Sequence, residues 1–382
     1  MGYEFGLGDV RYLLSAAGHH ALREIGTLAL VDASRIADVA AARRVAGDHA
    51  AAVLETVLLR RRAAAKLSDV DGWLFTDAAL QQATPSTVAR HRAKRLAGRD
   101  VHDVTCSIGA DLAALAGVAS RCLGSDLDEV RLAMARHNCP GVPLVRADAL
   151  RSVSTGAVVV ADPARRDITG RRTTALAPPL DALVAAYPGR ELVVKCAPGL
   201  DFDPLGWAEE VELVSLDGAV REACLWTAGL ATARRRASVL RTGAPPWTIT
   251  DGEPDDCPVR EPGEWIVDPD GAVVRAGLVR QYAARHRLGQ LDPRIAYLTG
   301  DAPPSGIRAF RVLEHGRYAE KAVRAALHRH DVGALEILVR GLDVRPDELR
   351  RRLRPGGETA ATLVLTRIGR TPTALLCRAE PP

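Results

Sequence analysis

The stretch Asp103-Val104-Thr105-Cys106-Ser107-Ile108-Gly109-Ala110-Asp111 decides the fold. With VHDVTCS beginning at Val101, it reads as a strand ending on a carboxylate, then a turn of small residues. The run DLAALAGVASR from Asp111 then reads as a helix. A ligand lying across such a βα edge needs small residues in the turn, so that backbone can approach it, and a helix N-terminus beyond. Seventeen residues past Ser107 the pattern recurs as RCLGSDL, with Gly124-Ser125-Asp126-Leu127-Asp128 at the strand end, followed by the helix DEVRLAMARHN. An acid at that place accepts hydrogen bonds from ribose hydroxyls.

Further strands follow in the same rhythm. VPLVRAD leads to Asp148, placed to accept from an exocyclic amine. GAVVVADP leads to Asp162-Pro163-Ala164-Arg165, and ELVVKCAP carries Lys195 and Cys196. VELVSLDG and REACLWT have no helix between them and are expected as an antiparallel hairpin. Residues 99–230 therefore predict an α/β, Rossmann-like, doubly wound sheet with an antiparallel end. A single strand-end acid is more often a turn or helix cap. Acids at the ends of four successive strands converge on one edge, which capping does not explain.

The flanks differ in kind. Residues 1–98 read as helical: DHAAAVLETVLLRRRAAAKL predicts a helix capped by Asp48 with a stripe of Val53, Leu54, Val57 and Leu58, and Gly18, Gly26 and Gly47 punctuate the helices around it. Thr84-Pro85-Ser86 breaks the run before a short helix with Arg90, Arg92, Lys94 and Arg95. Residues 231–304, rich in Pro, Gly and acids, predict a connector or small appended subdomain. Residues 305–382 alternate strand and helix and predict a small α+β domain.

Composition limits the function. The 382 residues are 47% hydrophobic and 26% charged, an ordinary globular mix, with no apolar run long enough to span a bilayer and no secretory-type N-terminus. Seven scattered cysteines without a CxxC pair argue against a disulfide framework or zinc knuckle and fit a reducing cytoplasm. His19-His20 and His328/His330 lack partners at ligand spacing, so no metal is expected. The net charge of +4 divides unevenly. Between Asp251 and Asp270 stand eight acids and one Arg, whereas Ser305–Pro382 holds fifteen basic residues against nine acids. A basic tail beyond an acidic stretch favours a polyanion partner. Arginine supplies nearly all of this charge, since Lys66, Lys94, Lys195 and Lys321 are the only lysines.

Residues 99–228 resemble a class I S-adenosylmethionine-dependent methyltransferase. That family commonly has three glycines in the first turn, where Thr105 and Ser107 here stand for two and Gly109 remains. The resemblance implies that Asp103, Thr105, Cys106, Ser107 and Gly109 face the methionine moiety of the cofactor, Asp126 its ribose and Asp148 its adenine edge. It places Asp162-Pro163, with Arg165, beside the transferable methyl. Trp73-Leu74-Phe75-Thr76 and Ala83-Thr84-Pro85 are similar to the segment preceding the core in trimethylguanosine synthase-like enzymes. LEILVRGLDVRPDELRRRL and TLVLTR look like the THUMP-like C-terminal domain of bacterial relatives, and THUMP domains are associated with RNA, often transfer RNA.

The fourth strand end refines this expectation. Amino-methylating relatives carry an aromatic residue where Arg165 stands, so base stacking from that position is absent. Arg165, Arg166, Arg171 and Arg172 suit phosphate contacts or guanidinium stacking, or are simply solvated loop charge. Asp-Pro-Ala-Arg with Lys195-Cys196-Ala197-Pro198 also resembles 5-methyluridine RNA methyltransferases, which makes Cys196 a candidate nucleophile against the commoner reading of a small buried cysteine. The expected activity is methylation of RNA, at a base or ribose atom. A small-molecule methyltransferase and a non-catalytic cofactor- and RNA-binding protein are the alternatives.

Overall fold

A computed structural model describes residues 3–166, 172–304 and 307–380, excepting the side chains at 165–166, 172–175 and 380. The chain divides into two compact units. The first comprises residues 1–216, 221–232 and 240–246, and the second comprises 217–220, 233–239 and 247–382.

The first unit begins with helices α1 (Leu7–Leu13), α2 (Ala16–Gly26), α3 (Arg35–Ala46), α4 (Ala50–Ala63), α5 (Asp77–Gln82) and α6 (Ser86–Lys94). Gly18 does not separate helices as expected: it is buried inside α2, where a Cβ would lie 1.9 Å from the Tyr12 carbonyl oxygen. Asp48 lies in a 3₁₀ turn, and His49 occupies the N-cap of α4 without a side-chain cap. The buried face of α4 is Ala52, Val53, Thr56, Val57 and Leu59, and Leu58 is turned outward. This face is rotated from the stripe of four large apolar residues, because small residues supply much of the close packing.

The strands are β1 (Asp100–Asp103), β2 (Arg121–Asp126), β3 (Leu144–Arg146), β4 (Val158–Ala161), β5 (Ala164–Arg166), β6 (Arg172–Ala177), β7 (Leu192–Cys196), β8 (Glu210–Leu216) and β9 (Ala219–Trp226). Between them run α7 (Ala110–Ala116), α8 (Glu129–Asn138) and α9 (Leu180–Ala186). Strands order as β8-β9-β7-β4-β1-β2-β3. β1, β2, β3, β4 and β7 run parallel, and β9 is antiparallel to β7. Asp217 and Gly218, both at positive φ, make the two-residue turn from β8 to β9. The chain winds outward from β1 through β2 to β3 and then returns to β4, so the strand order reverses beside β1. Ligands bind at such a switch point. The β5–β6 antiparallel ribbon after Pro163 has no counterpart in the sequence-based expectation.

The helical lead and the sheet layer share a core. Ile108 of the first turn and Met134 of α8 pack among Leu13, Leu59, Leu74 and Phe75. Buried Asn138 fastens the two: its Oδ1 accepts from Leu74 N–H at 2.9 Å, and its amide donates to the Leu74 and Ile108 carbonyls at 2.9 Å each.

The second unit contains β10 (Arg235–Leu240, whose last residue belongs to the first unit), β11 (Trp247–Thr250), β12 (Trp265–Val267), α10 (Gly271–Arg275), α11 (Val279–Arg285), β13 (Gly289–Asp292) and β14 (Ile295–Gly300). It continues with β15 (Ala309–Arg317), α12 (Glu320–Arg329), β16 (Val332–Val339), α13 (Pro346–Leu353), β17 (Thr359–Ile368) and β18 (Thr371–Glu380). Residues 231–304 are therefore not a bare tether. Their strands β12, β13 and β14 share one seven-stranded sheet with the tail, in the order β13-β14-β12-β15-β18-β17-β16. The α12 and α13 helices bury Val323, Leu327, Leu349 and Leu353 against Leu335, Leu363 and Leu376 of that sheet.

Candidate active site

The carboxyl ends of β1, β2, β3 and β4 open onto a cavity of about 350 Å³, lined in part by Asp103, Thr105, Ser107, Asp126, Asp148 and Asp162. Its size is that of a small-molecule pocket. Four of the strand-end acids expected to meet do meet.

The first turn shows how two non-glycine residues fit. Thr105 N–H donates to Asp103 Oδ1 at 3.1 Å, while the Thr105 hydroxyl accepts from the Asp162 backbone N–H at 2.7 Å. Ser107 takes a positive φ of 49°, and its N–H donates to Asp126 Oδ2 at 2.9 Å. Asp126 Oδ1 accepts from Asp128 N–H, also at 2.9 Å. Gly109 caps α7 at φ 93°, and a Cβ there would lie 2.5 Å from Cys139 Sγ. Cys106 lines the cavity together with the rest of the turn. Its side chain is buried among Leu112, Leu132 and Cys139, and burial pushes its thiol far above the usual range. Asp148 Oδ1 caps the turn through Leu150 N–H at 2.9 Å.

Asp103 is almost wholly buried. Burial, then the negative charge of Asp111, raise its carboxyl to about 8 against the pull of the Thr105 N–H. Next to it lies a charge network that no motif announced. Arg92, fully buried on α6, reaches Asp111 Oδ1 and Glu222 Oε1 at 2.5 Å each. Lys195 Nζ donates to the Thr84 hydroxyl at 2.6 Å, contacts Asp111 Oδ2 at 3.4 Å and pairs with Asp162. Burial opposes ionisation of Asp111, but Arg92 and Lys195 pull it down to about 2. Burial raises Asp162 overall, with Lys195 drawing it back. The one available sequence signal was scarcity: Lys195 is one of four lysines in the chain.

A second cavity of about 510 Å³ shares Gln82, Ala83, Asp162 and Ala164 with the first, and is further lined by Lys66, Thr84, Lys195, Cys196, Arg221 and Glu222. Asp162 thus stands on a wall common to both cavities, with Pro163 facing the second. Cys196 also reaches this second space, but burial pushes its thiol up to about 12 despite the adjacent Lys195. Lys195 itself is engaged with Asp162, Asp111 and Thr84. The Arg165 side chain, with Arg166 and Arg172, and the whole of Arg171 lie outside the described residues.

The chain is 56% identical over 354 residues to an uncharacterized S-adenosylmethionine-dependent methyltransferase of Mycobacterium tuberculosis strain H37Rv, a match covering 87% of this chain and 98% of that protein. The counterpart in strain CDC 1551 matches equally. The chain belongs to the S-adenosylmethionine-dependent methyltransferases. A crystal structure from Porphyromonas gingivalis W83, assigned as a candidate methyltransferase, aligns over 99% of both chains with a TM-score of 0.72 at 20% identity, so the same fold runs the length of both. Residues 307–379 match the THUMP domain-like family, and residues 6–63 match a domain of unknown function. The protein is a class I methyltransferase with a THUMP-like C-terminal domain, and S-adenosylmethionine is its methyl donor.

The first cavity suits that donor chemically. An ammonium and a sulfonium call for anions, and a ribose and an amine call for acceptors. Asp103, Asp126, Asp148 and Asp162 are groups that could supply them, with Arg131 as the cation among the described residues of the lining. Among the described residues no His/Cys/Asp/Glu group is arranged to hold a metal ion, and no helix is long and apolar enough to cross a membrane. His19 and His20 are exposed on α2.

Proposed function

We propose that this methyltransferase acts on RNA, a transfer RNA or another structured RNA, and methylates a base or ribose atom. The observation that carries the RNA part is the THUMP domain-like match over 307–379. A cleft of about 920 Å³ along α12 and α13 supports it, lined by Arg324, Arg351, Arg352 and Arg354 as well as by Glu320 and Asp331. Arginine forks suit phosphate oxygens, and phosphate contacts supply sequence-independent, salt-sensitive affinity.

In this reading residues 99–230 are the catalytic core and 305–382 the RNA-facing domain. Asp103 and the 105–109 turn take the methionine moiety, Asp126 the ribose hydroxyls and Asp148 the adenine amine. Leu127, exposed at the cavity, offers the ring an apolar contact. When bound, the cofactor supplies a methyl made electrophilic by its sulfonium. Asp162 and Pro163, on the wall between the two cavities, would hold the acceptor toward the cofactor, so that proximity would provide much of the rate. The Asp162 carboxylate, steadied by Lys195, receives the proton the acceptor sheds. A protonated Cys196 thiol favours direct transfer over a cysteine adduct. A paired target base must first be flipped out of its stack.

The test is mass spectrometry of nucleosides from the RNA of a strain lacking the gene. One modification should disappear, return with the native gene and stay absent with Asp162→Asn. Unchanged RNA, together with methylation of a small molecule by the purified protein, would overturn the reading.

A further inference from the structure

We propose that the second cavity seats a phosphate of the methyl acceptor, held by Lys66 and Arg221 beside the wall formed by Asp162. The proposal rests on the nucleic-acid reading above and adds to it a place where the acceptor's own phosphate is gripped.

The ground is a charge imbalance. Among the described residues five charged side chains line this cavity: Lys66, Lys195, Arg221, Asp162 and Glu222. Three are satisfied within the protein, because Lys195 pairs with Asp162 and Asp111, and Glu222 with Arg92. Lys66 and Arg221 pair with no carboxylate among the described residues. Lys66 Nζ donates to the Leu80 and Gln81 carbonyls at 3.1 and 3.0 Å. These neutral acceptors orient the ammonium without neutralising it and leave its third proton for a ligand. Arg221 stands exposed on β9, and among the described residues no ion pair engages its fork.

The cations also act on one another. Burial first, then the charges of Lys195 and Arg221, hold the Lys66 ammonium below the usual lysine range. An anion seated among them removes that repulsion. A phosphate matches both groups, since an ammonium serves as a point charge and a guanidinium as a fork for several oxygens. Two of the four lysines of this arginine-rich chain line this one cavity. In a nucleotide the phosphate is one sugar away from the base. Anchoring it here would bring base or ribose to the Asp162 wall, which the first cavity shares.

The experiment is ligand-observed NMR on the full chain saturated with S-adenosylhomocysteine, comparing ribonucleoside 3′- and 5′-monophosphates with the unphosphorylated nucleosides. The monophosphates should bind about tenfold or more tightly, the ratio expected of a charge-assisted contact. Lys66→Gln with Arg221→Gln should erase the difference and leave S-adenosylhomocysteine affinity intact, while Lys66→Arg with Arg221→Lys should keep most of it. Equal binding of nucleosides and monophosphates by the native protein overturns the proposal, and so does discrimination that survives the double glutamine change. The native comparison needs no variant, so a misfolded one does not spoil the test. Phosphate discrimination without any RNA methylation would sink the RNA reading alone. RNA methylation without discrimination would sink the phosphate seat alone.

Discussion

The Thr105 hydroxyl accepts the backbone N–H of Asp162 across 2.7 Å, tying the turn after β1 to the end of β4. Thr105 occupies a place where the family commonly has glycine, so the side chain is a strut between the cofactor turn and the acceptor wall. Thr105→Val keeps the shape but strands a part-buried donor, which costs about 1–3 kcal/mol. Thermal unfolding should register that loss, and Thr105→Ser should recover most of it. Unchanged stability in the valine variant would show that Asp162 N–H finds another acceptor.

Asp103 predicts a pH dependence with a definite sign. Burial, then Asp111, raise its carboxyl to about 8 in the folded protein, well above the unfolded value of about 4. The folded state therefore binds the proton more tightly, and this group's contribution to stability falls as pH rises from about 4 to about 8. A cationic ligand beside Asp103 needs the ionised form, so S-adenosylmethionine affinity should rise with pH and level off above about 8. Asp103→Asn should flatten both trends, which calorimetric titration and unfolding between pH 5 and 9 would check.

Arg92 holds Asp111 and Glu222 together from a position on α6 where it has almost no contact with solvent. Removing it leaves buried Glu222 without its cation and Asp111 with Lys195 as its remaining one, a loss of about 3–5 kcal/mol by the behaviour of broken buried pairs. Arg92→Met should lower the urea midpoint sharply. Arg92→Lys should not rescue it, because one ammonium cannot span two carboxylates as a fork does. Adding Glu222→Gln to Arg92→Met should regain part of the loss.

What could be read from the sequence follows the range of the interactions. Asp103, Asp126, Asp148 and Asp162 were legible because each ends a short apolar run, and four such runs in a parallel sheet place their ends on one edge. The α12–β16–α13–β17 succession was legible for a similar reason, since local periodicity marks it out. The Arg92–Glu222 pair spans 130 residues, and Lys195–Thr84 spans 111, so no spacing could announce them. β12 was obscured by the prolines and acids around Trp265. Its strand character comes from pairing with β14 and β15, partners that lie 30 or more residues away. Gly18 misled because a glycine inside a helix and one that ends a helix look alike until the neighbouring helix is in place.

Gly109 combines a left-handed φ of 93° with no room for a Cβ beside Cys139 Sγ. Gly109→Ala should therefore lose both stability and cofactor affinity. Cys139→Ala in the same chain removes the sulfur, and the backbone penalty of about 1–2 kcal/mol should persist. Partial recovery in the double variant, measured by thermal shift with and without S-adenosylhomocysteine, separates steric from conformational cost. Full recovery would mean that φ relaxes.

Deleting 305–382 is a poor test of RNA binding by the second unit, because β12 pairs with β15 and loses its neighbour. Charge removal is cleaner. Arg351 lies exposed on α13, and Arg354 sits just beyond it at a φ of 51°, which asparagine tolerates. Arg351→Gln with Arg354→Asn should leave folding and S-adenosylhomocysteine binding unchanged while weakening affinity for total transfer RNA. If these arginines meet phosphates, the slope of log affinity against log salt should become shallower by roughly one for each phosphate no longer neutralised. An unchanged slope would move the RNA interface away from the cleft along α12 and α13, since a general loss of folding quality does not alter the number of counterions released.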